Sequence, residues 1–324
     1  MSGSSSDWFW PLPAVLNPRL PPETVSQAAK FTDACIKVSG IHLNDAAARS
    51  DAISVSQPFL PRCVMSHEII ASGDNFWNIR GAFRLGGVVD IGTHISLIRR
   101  QNGKFLFLDS YTLTGAQADQ MDALTGGGKH VEAVLNLHPF HTVHVHAMHQ
   151  RYPKAKLYGT QRHLEKFPDL PWQTLRTEDA GLHKKFASDL EFSVPEGVDF
   201  VSANESVHFS SVLALHKATR TIHVDDTLIY ARLPLPMRLL GMPDLLSFHP
   251  TLGSALLTQA GAAEKFSTWA KALAKQWKHA QNLCAAHTAV LAKDDAGGTS
   301  IAQRIRKALS NVSSTLKAHK RKYG

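Results

Sequence analysis

Hydrophobic and polar positions change texture along this 324-residue chain. Residues 1–64 mix an aromatic patch (DWFWPL), prolines and a helix-like run (PPETVSQAAKFTDACIKVSG), and read as an N-terminal extension laid on a domain. From about residue 65, runs rich in β-branched and aromatic residues (VMSHEIIASGDNFWNIRGAF, VVDIGTHISLIRR, KFLFLDSY) alternate with turn chemistry, SGD and QNGK. This predicts successive strands, with Asn102 and Gly103 in a hairpin. AQADQMDALTGGGKH predicts a helix closing on glycines, VEAVLNL a strand, and RYPKAKLYG a short strand after a second helix.

After the proline-marked connection FPDLPWQTLRTED the pattern resumes. VDFVSANE, SSVLALHKA and RTIHVDDTLIYA predict strands, and LLTQAGAAEKFSTWAKALAKQWKHA a long amphipathic helix. NLCAAHTAVL follows as a strand, then a last helix with Ile301, Ile305, Leu309, Val312 and Leu316 on one face. Strands and helices alternate in two similar halves, which predicts a layered α/β domain over residues 65–296. Residues 297–324 form a C-terminal helix and basic tail.

Composition narrows the class. Hydrophobic residues make up 44% and charged residues 19%, a globular mixture. No run approaches the ~18–20 apolar residues of a membrane helix, and MSGSSSDWFWPLP lacks the build of a signal peptide. Cys35, Cys63 and Cys284 are odd in number and far apart, against a disulfide framework or cysteine zinc knuckle. A cytoplasmic setting without membrane contact is expected. The formal charge of +8 owes much to STLKAHKRKYG, where lysines suit a helix C-terminus, so nucleic acid is not the expected partner.

The densest chemistry is LHPFHTVHVHAMHQRYPKAKLYG, with His138, His141, His144, His146 and His149 close together. One short segment cannot supply a full ligand set without strain, so a metal site needs donors from other strand ends. Asp109 ends KFLFLD, His138 ends VEAVLNL, Asp225 and Asp226 follow RTIHV, His287 ends NLCAA, and His208 precedes FSSVLAL.

Over roughly residues 76–292 these pieces resemble the metallo-β-lactamase-fold hydrolases. THISLIRRQNGKFLFLDS is similar to that family's opening hairpin, AVLNLH to the stretch with its first histidine cluster, and VHFSSVLAL to the third-motif segment. HVDDTL is similar to the metal-bridging Asp motif and CAAH to the last histidine. The resemblance implies a four-layer αββα sandwich. It departs from the family at HxHxDH, where two registers compete. Read literally, His144, His146 and His149 fill the slots and Met148 replaces the Asp. Read by topology, His138 is the first position, Phe140, Thr142 and Val143 fill the others, and His141 and His144 act as replacement ligands, paired on a helix beginning near His141.

The resemblance, in the topological register, implies a metal held by His138, His141, His144, His208, Asp226 and His287, with Asp226 as the bridging catalytic carboxylate. Zinc is the default, as one or two ions, and iron or manganese would also suit the donors. The implied reaction is attack of a metal-bound hydroxide on a carbonyl or phosphoryl group of a small molecule. The rival expectation is a domain without catalysis that binds a ligand or partner, because the Asp of the motif is missing. Asp225, His216 and His223 read as residues that orient ligands, and His94 as structural. The apolar LPLPMRLLGMPDLLSFHPTLG reads as a lid or packing loop, and would allow a homodimer.

Overall fold

The computed structural model describes residues 68–85, 89–90, 92–233, 240, 244–287, 289–295 and 297–324. The expected N-terminal extension lies outside them. The first strands, β1 (Ile69–Ala71) and β2 (Phe76–Gly81), pair antiparallel across SGDN. A small hairpin, β3 (Arg84–Leu85) and β4 (Val89–Asp90), leads into β5 (Thr93–Arg99), which pairs with β2 and with β6 (Phe105–Leu108). Gly103 takes φ +79° in the predicted hairpin turn.

Strand β6 then pairs in parallel with β7 (Val131–Leu135), and β7 with β8 (Lys156–Tyr158). Parallel neighbours need crossovers. The helices α1 (Gly115–Thr125) and α2 (Val145–Arg151) lie within those two connections. Helix α1 stops at Gly126, left-handed at φ +63°, as the glycine run predicts. The finished sheet has the order β1-β2-β5-β6-β7-β8.

The second sheet follows the short helices α3 (Gln161–Lys166) and α4 (Ala180–Lys185). It comprises β9 (Leu190–Ser193), β10 (Leu213–His216), β11 (Thr221–Val224), β14 (Asn282–Ala285) and β15 (Val290–Leu291), in the order β15-β14-β11-β10-β9. Between β11 and its parallel neighbour β14 come the hairpin β12 (Leu228–Ala231) and β13 (Leu245–Phe248), then α5 (Leu252–Ala255) and α6 (Ala262–Gln276). The chain ends in α7 (Ile301–Asn311) and α8 (Ser313–Tyr323).

Three apolar clusters establish four layers. Met121, Met148 and Tyr152 from α1 and α2 pack with Ile95, Leu97, Phe107 and Val134 of the first sheet. Phe76, Ile98, Leu106 and Leu135 pack with Ala214 and Cys284 of the second sheet. The other face of that sheet, Leu213, Ile222 and Leu283, packs with Phe266, Leu273 and Trp277 of α6 and its end, and with Ile305 of α7. The αββα order that the resemblance implied is present. Each fully buried large side chain contributes about 1.5–3 kcal/mol, so Phe266 at the centre of the last cluster is a position where truncation is felt.

Some expectations are corrected. VDFVSANE forms no strand, because Ser202 and Asn204 side chains accept the backbone N–H groups two residues on, 3.2 and 2.9 Å away, and hold the segment in turns. RTIHVDDTLIYA is not one strand but two, broken at Asp225–Asp226 and assigned to different sheets. The final helix is two helices that meet at Val312, and β9 was not anticipated.

Candidate metal centre

Parallel strands set where the site lies. The C-terminal ends of β6, β7, β11 and β14 carry Asp109, His138, Asp225 with Asp226, and His287, the edge at which open α/β sheets place ligands. Asp109 adopts φ +65°, a left-handed conformation that Asp tolerates better than most residues. This turn aims Oδ1 at the N–H of Leu137, 2.8 Å away, and Oδ2 at His223 Nε2, 2.9 Å. The carboxylate thus ties the end of β7 to the second sheet.

Asp226 sits at the centre of the outer group. Its Oδ2 is 3.3 Å from His138 Nε2 and 3.7 Å from His141 Nε2, and its Oδ1 is 2.9 Å from His287 Nε2. The donor atoms of His138, His141 and Asp226 lie within 4.8 Å of one another. His208 reaches the same place through ring contacts, centroid to centroid 6.3 Å from His138 and stacked at 4.6 Å on Phe140. Arg162 of α3 lies over the Phe140 ring at 4.5 Å.

His144 is not drawn into this group. The expected pairing of His141 and His144 on a helix does not form, because α2 begins only at Val145 and His141 lies in the turn before it. His144 instead pairs its Nδ1 with Thr112 Oγ1 at 2.8 Å and sets its ring against Tyr111. The literal register finds no support in the geometry either. Met148 is buried against the first sheet, and His146 faces Asp169 on the outside at 3.2 Å.

A second, inner group stands on the other side of Asp225. His94, His223 and Asp225 offer donor atoms within 4.8 Å of one another, all buried. His94 Nε2 is 3.3 Å from Asp225 Oδ1, and His141 Nδ1 is 3.5 Å from that same oxygen. His94 and His223 stack at 4.2 Å. His141 therefore has a carboxylate at each ring nitrogen. Sequence reasoning gave Asp225 and His223 a ligand-orienting role and left His94 apart as structural, because the contact between His94 on β5 and the end of β11 runs from sheet to sheet and is invisible in one dimension.

His249 was missed altogether. It directly follows β13, so the strand-end criterion that found the others also applies to it. Burial brings its pKa down to about 4, opposed by the charge of Asp226, with His287 and His208 also close enough to act.

The electrostatics are those of a cation site. Burial resists charge on Asp226, yet it is held well below the usual carboxylate range by His287 and His138. His141 is raised well above the ordinary imidazole value against its burial, by Asp225 and Asp226. Burial and then the charge of His141 take His138 down to about 3. Burial and then Asp109 push Asp225 up to about 6.

The residues fit a divalent cation. His287 Nδ1 lies 2.7 Å from the Gly92 carbonyl, an acceptor only, so the ring proton is on Nδ1. The Nε2 then faces a carboxylate oxygen at 2.9 Å, an arrangement that is stable with a positive charge between them, either a second ring proton or a cation in its place. Asp226 Oδ1 and both Asp225 oxygens are buried without a hydrogen bond among the described residues, while His138 Nδ1 accepts the Phe140 N–H at 3.1 Å, which leaves its ring proton on Nε2, 3.3 Å from Asp226 Oδ2. A ligand histidine donating its other nitrogen to a carbonyl is the usual metal-site orientation.

Four layers in the order helix, sheet, sheet, helix, with acidic and imidazole groups gathered at the strand ends, decide the architecture. The fold is a four-layer αββα sandwich. Similar solved structures include the DIM-1 metallo-β-lactamase exposed to ceftazidime, at 12% identity and TM-score 0.49 over 76% of this chain and 97% of that one. Metallo-β-lactamases from Hirschia baltica (12%, 0.48, 77% and 97%) and Pontibacter korlensis (11%, 0.45, 77% and 98%) are similar to the same degree. No family model matches the chain, and no curated protein matches it. Among the described residues no helix is long and apolar enough to cross a membrane.

Proposed function

We propose that this chain is a metal-dependent hydrolase acting on a carbonyl or phosphoryl centre of a small molecule. The observation that carries the reading is the convergence of His138, His141 and His287 on the single buried carboxylate of Asp226, whose Oδ1 has no hydrogen bond among the described residues. In this reading Asp226, His287 and His141 hold the cation, with His138 and His208 beside them and His144 outside. Zinc is the default ion for an imidazole and carboxylate set, and iron or manganese would suit it. A bound cation would polarise the substrate oxygen and lower the pKa of water near it.

The chain's own groups do the rest. Asp226 presents one oxygen toward His287 and the other toward His138 and His141, so a single carboxylate organises donors from three chain segments. Burial lowers the pKa of His208 and so favours its neutral imidazole, the form that would accept a proton released during attack. Phe140, between His208 and Arg162, forms an apolar wall beside that base.

A second reading is a domain that binds a ligand without catalysis. It rests on Thr142, which stands in the topological register where the family has its Asp, and whose Oγ1 accepts a hydrogen bond from Lys166 Nζ at 2.8 Å. Elemental analysis after metal repletion separates the two. The hydrolase reading expects about one or two equivalents of a transition metal per chain, and less than about 0.2 equivalents would exclude it.

A further inference from the structure

The inner histidine group has the residue types of a second metal position, and its hydrogen bonds argue for another role. Asn78 Nδ2 lies 3.0 Å from His94 Nδ1. The same amide nitrogen meets the Ile95 carbonyl at 3.3 Å, and its oxygen faces Arg80 Nη1 at 3.4 Å, which fixes the orientation of the amide. His94 Nδ1 is therefore the acceptor, and its proton is on Nε2, the atom 3.3 Å from Asp225. His223 Nε2 donates to Asp109, and its Nδ1 is paired with Ser96 Oγ at 2.9 Å. Neither ring points a lone pair at Asp225.

Asp225 is almost wholly buried, at 1% exposure, and neither oxygen has a hydrogen bond among the described residues. His94 Nε2 and His141 Nδ1 are the donors poised at Oδ1, at 3.3 and 3.5 Å. A buried carboxylate left without donors is costly. If the single proton of neutral His141 sat on Nε2, the Nδ1 lone pair would face that carboxylate. Placing the proton on Nδ1 satisfies Asp225 and turns the Nε2 lone pair toward Asp226.

We infer that Asp225, braced by His94, is a positioning residue that fixes His141 as the Nδ1–H tautomer and so makes its Nε2 available to a cation at Asp226. The inference rests on the metal-site reading above for its consequence, while the tautomer itself does not depend on a metal. The brace extends from Asn78 and Ser96 through the stacked His94 and His223 to Asp109, so both sheets contribute to the angle of one imidazole.

Two measurements on the full-length chain test it. Zinc affinity is determined by competition with a chromophoric chelator for wild type, Asp225→Asn and His94→Gln. Loss of an orienting partner weakens metal binding about 10–100-fold, and this is the expected result for Asp225→Asn at unchanged stoichiometry, with a smaller loss for His94→Gln. The thermal midpoint of the metal-free Asp225→Asn protein should not fall, whereas a merely structural role would lower it and leave affinity intact. Wild-type zinc affinity in Asp225→Asn, or loss of one of two bound ions in His94→Gln, overturns the inference; the latter makes the inner group a metal position.

The second measurement is the ring ¹⁵N spectrum of His141 in metal-free protein, assigned with His141→Gln and followed to alkaline pH until the ring has lost one of its two protons. A protonated Nδ1 beside an unprotonated Nε2 is expected, and loss of the proton from Nδ1 instead overturns the inference. A chain that binds no zinc but shows this tautomer defeats the hydrolase reading and leaves the positioning role standing.

Discussion

The outer group around Asp226 and the inner group around Asp225 are built from the same side chains, two adjacent aspartates each facing histidines, yet they are chemically opposite. In the inner group, strand neighbours fix each ring: Asn78 on His94, Asp109 and Ser96 on His223. In the outer group, His287 is turned by a carbonyl so that its second nitrogen faces Asp226, and His141 retains 21% exposure. A histidine's capacity to hold a metal is thus set by where its other nitrogen is anchored, and residue type alone does not reveal it.

The comparison can be broken most severely through Asp109, which locks the inner group. Asp109→Ala leaves the buried His223 without its carboxylate and the Leu137 N–H without an acceptor. Breaking such a buried pair costs about 3–5 kcal/mol, which chemical denaturation should register as a lower midpoint at unchanged slope. A loss below about 0.5 kcal/mol would show that the inner group is no brace.

Asp226→Ala addresses the outer group. Metal affinity should fall by at least about 100-fold, roughly 2.7 kcal/mol, with stability of the metal-free chain little changed. Retained affinity would move the site elsewhere.

A charged trio remote from both groups serves as the control for ordinary electrostatics. Arg100 lies 2.7 Å from Glu132 and 2.9 Å from Asp189. Burial pushes both carboxyls up, but Arg100 at Glu132, and Ser188, Gln101 and Arg100 at Asp189, bring both below their ordinary values. The native state therefore binds fewer protons than the unfolded chain as pH falls into the carboxyl range. Their contribution is complete above the unfolded pKa values and is lost as pH falls through the depressed folded ones. Arg100→Gln should cost about 2 kcal/mol near neutrality, and the gap from wild type in thermal unfolding should close in acid. A gap that widens in acid contradicts the assignment.

His208→Ala removes a ring that touches the outer group from its edge, so metal binding should weaken by about tenfold, roughly 1.4 kcal/mol. The smallest effect is expected at His149→Ala, which should leave metal content unchanged by elemental analysis. If His149→Ala strips the metal and His141→Ala does not, the histidine stretch has been assigned to the wrong register.

The alternation of strands and helices was legible because burial imposes periodicity locally, as in KFLFLD, VEAVLNL and the stripe of α7. VDFVSANE was misread because side chains that cap backbone groups compete with strand pairing without altering its apolar pattern. His138, Asp226 and His287 could be singled out from one-dimensional position, since each follows a strand. His249 met the same criterion and was passed over because it stands in an apolar, proline-rich stretch.

The sequence by itself determined the donor types, their placement at strand ends and a layered α/β domain, all consequences of local pattern and chain connectivity. The tertiary structure decided which imidazoles meet. Asn78 and His94 lie on paired strands, and Gly92 reaches His287 across 195 residues. Those contacts set tautomers, and a tautomer is fixed by a partner in space, so no spacing along the chain could have told the brace from the metal site.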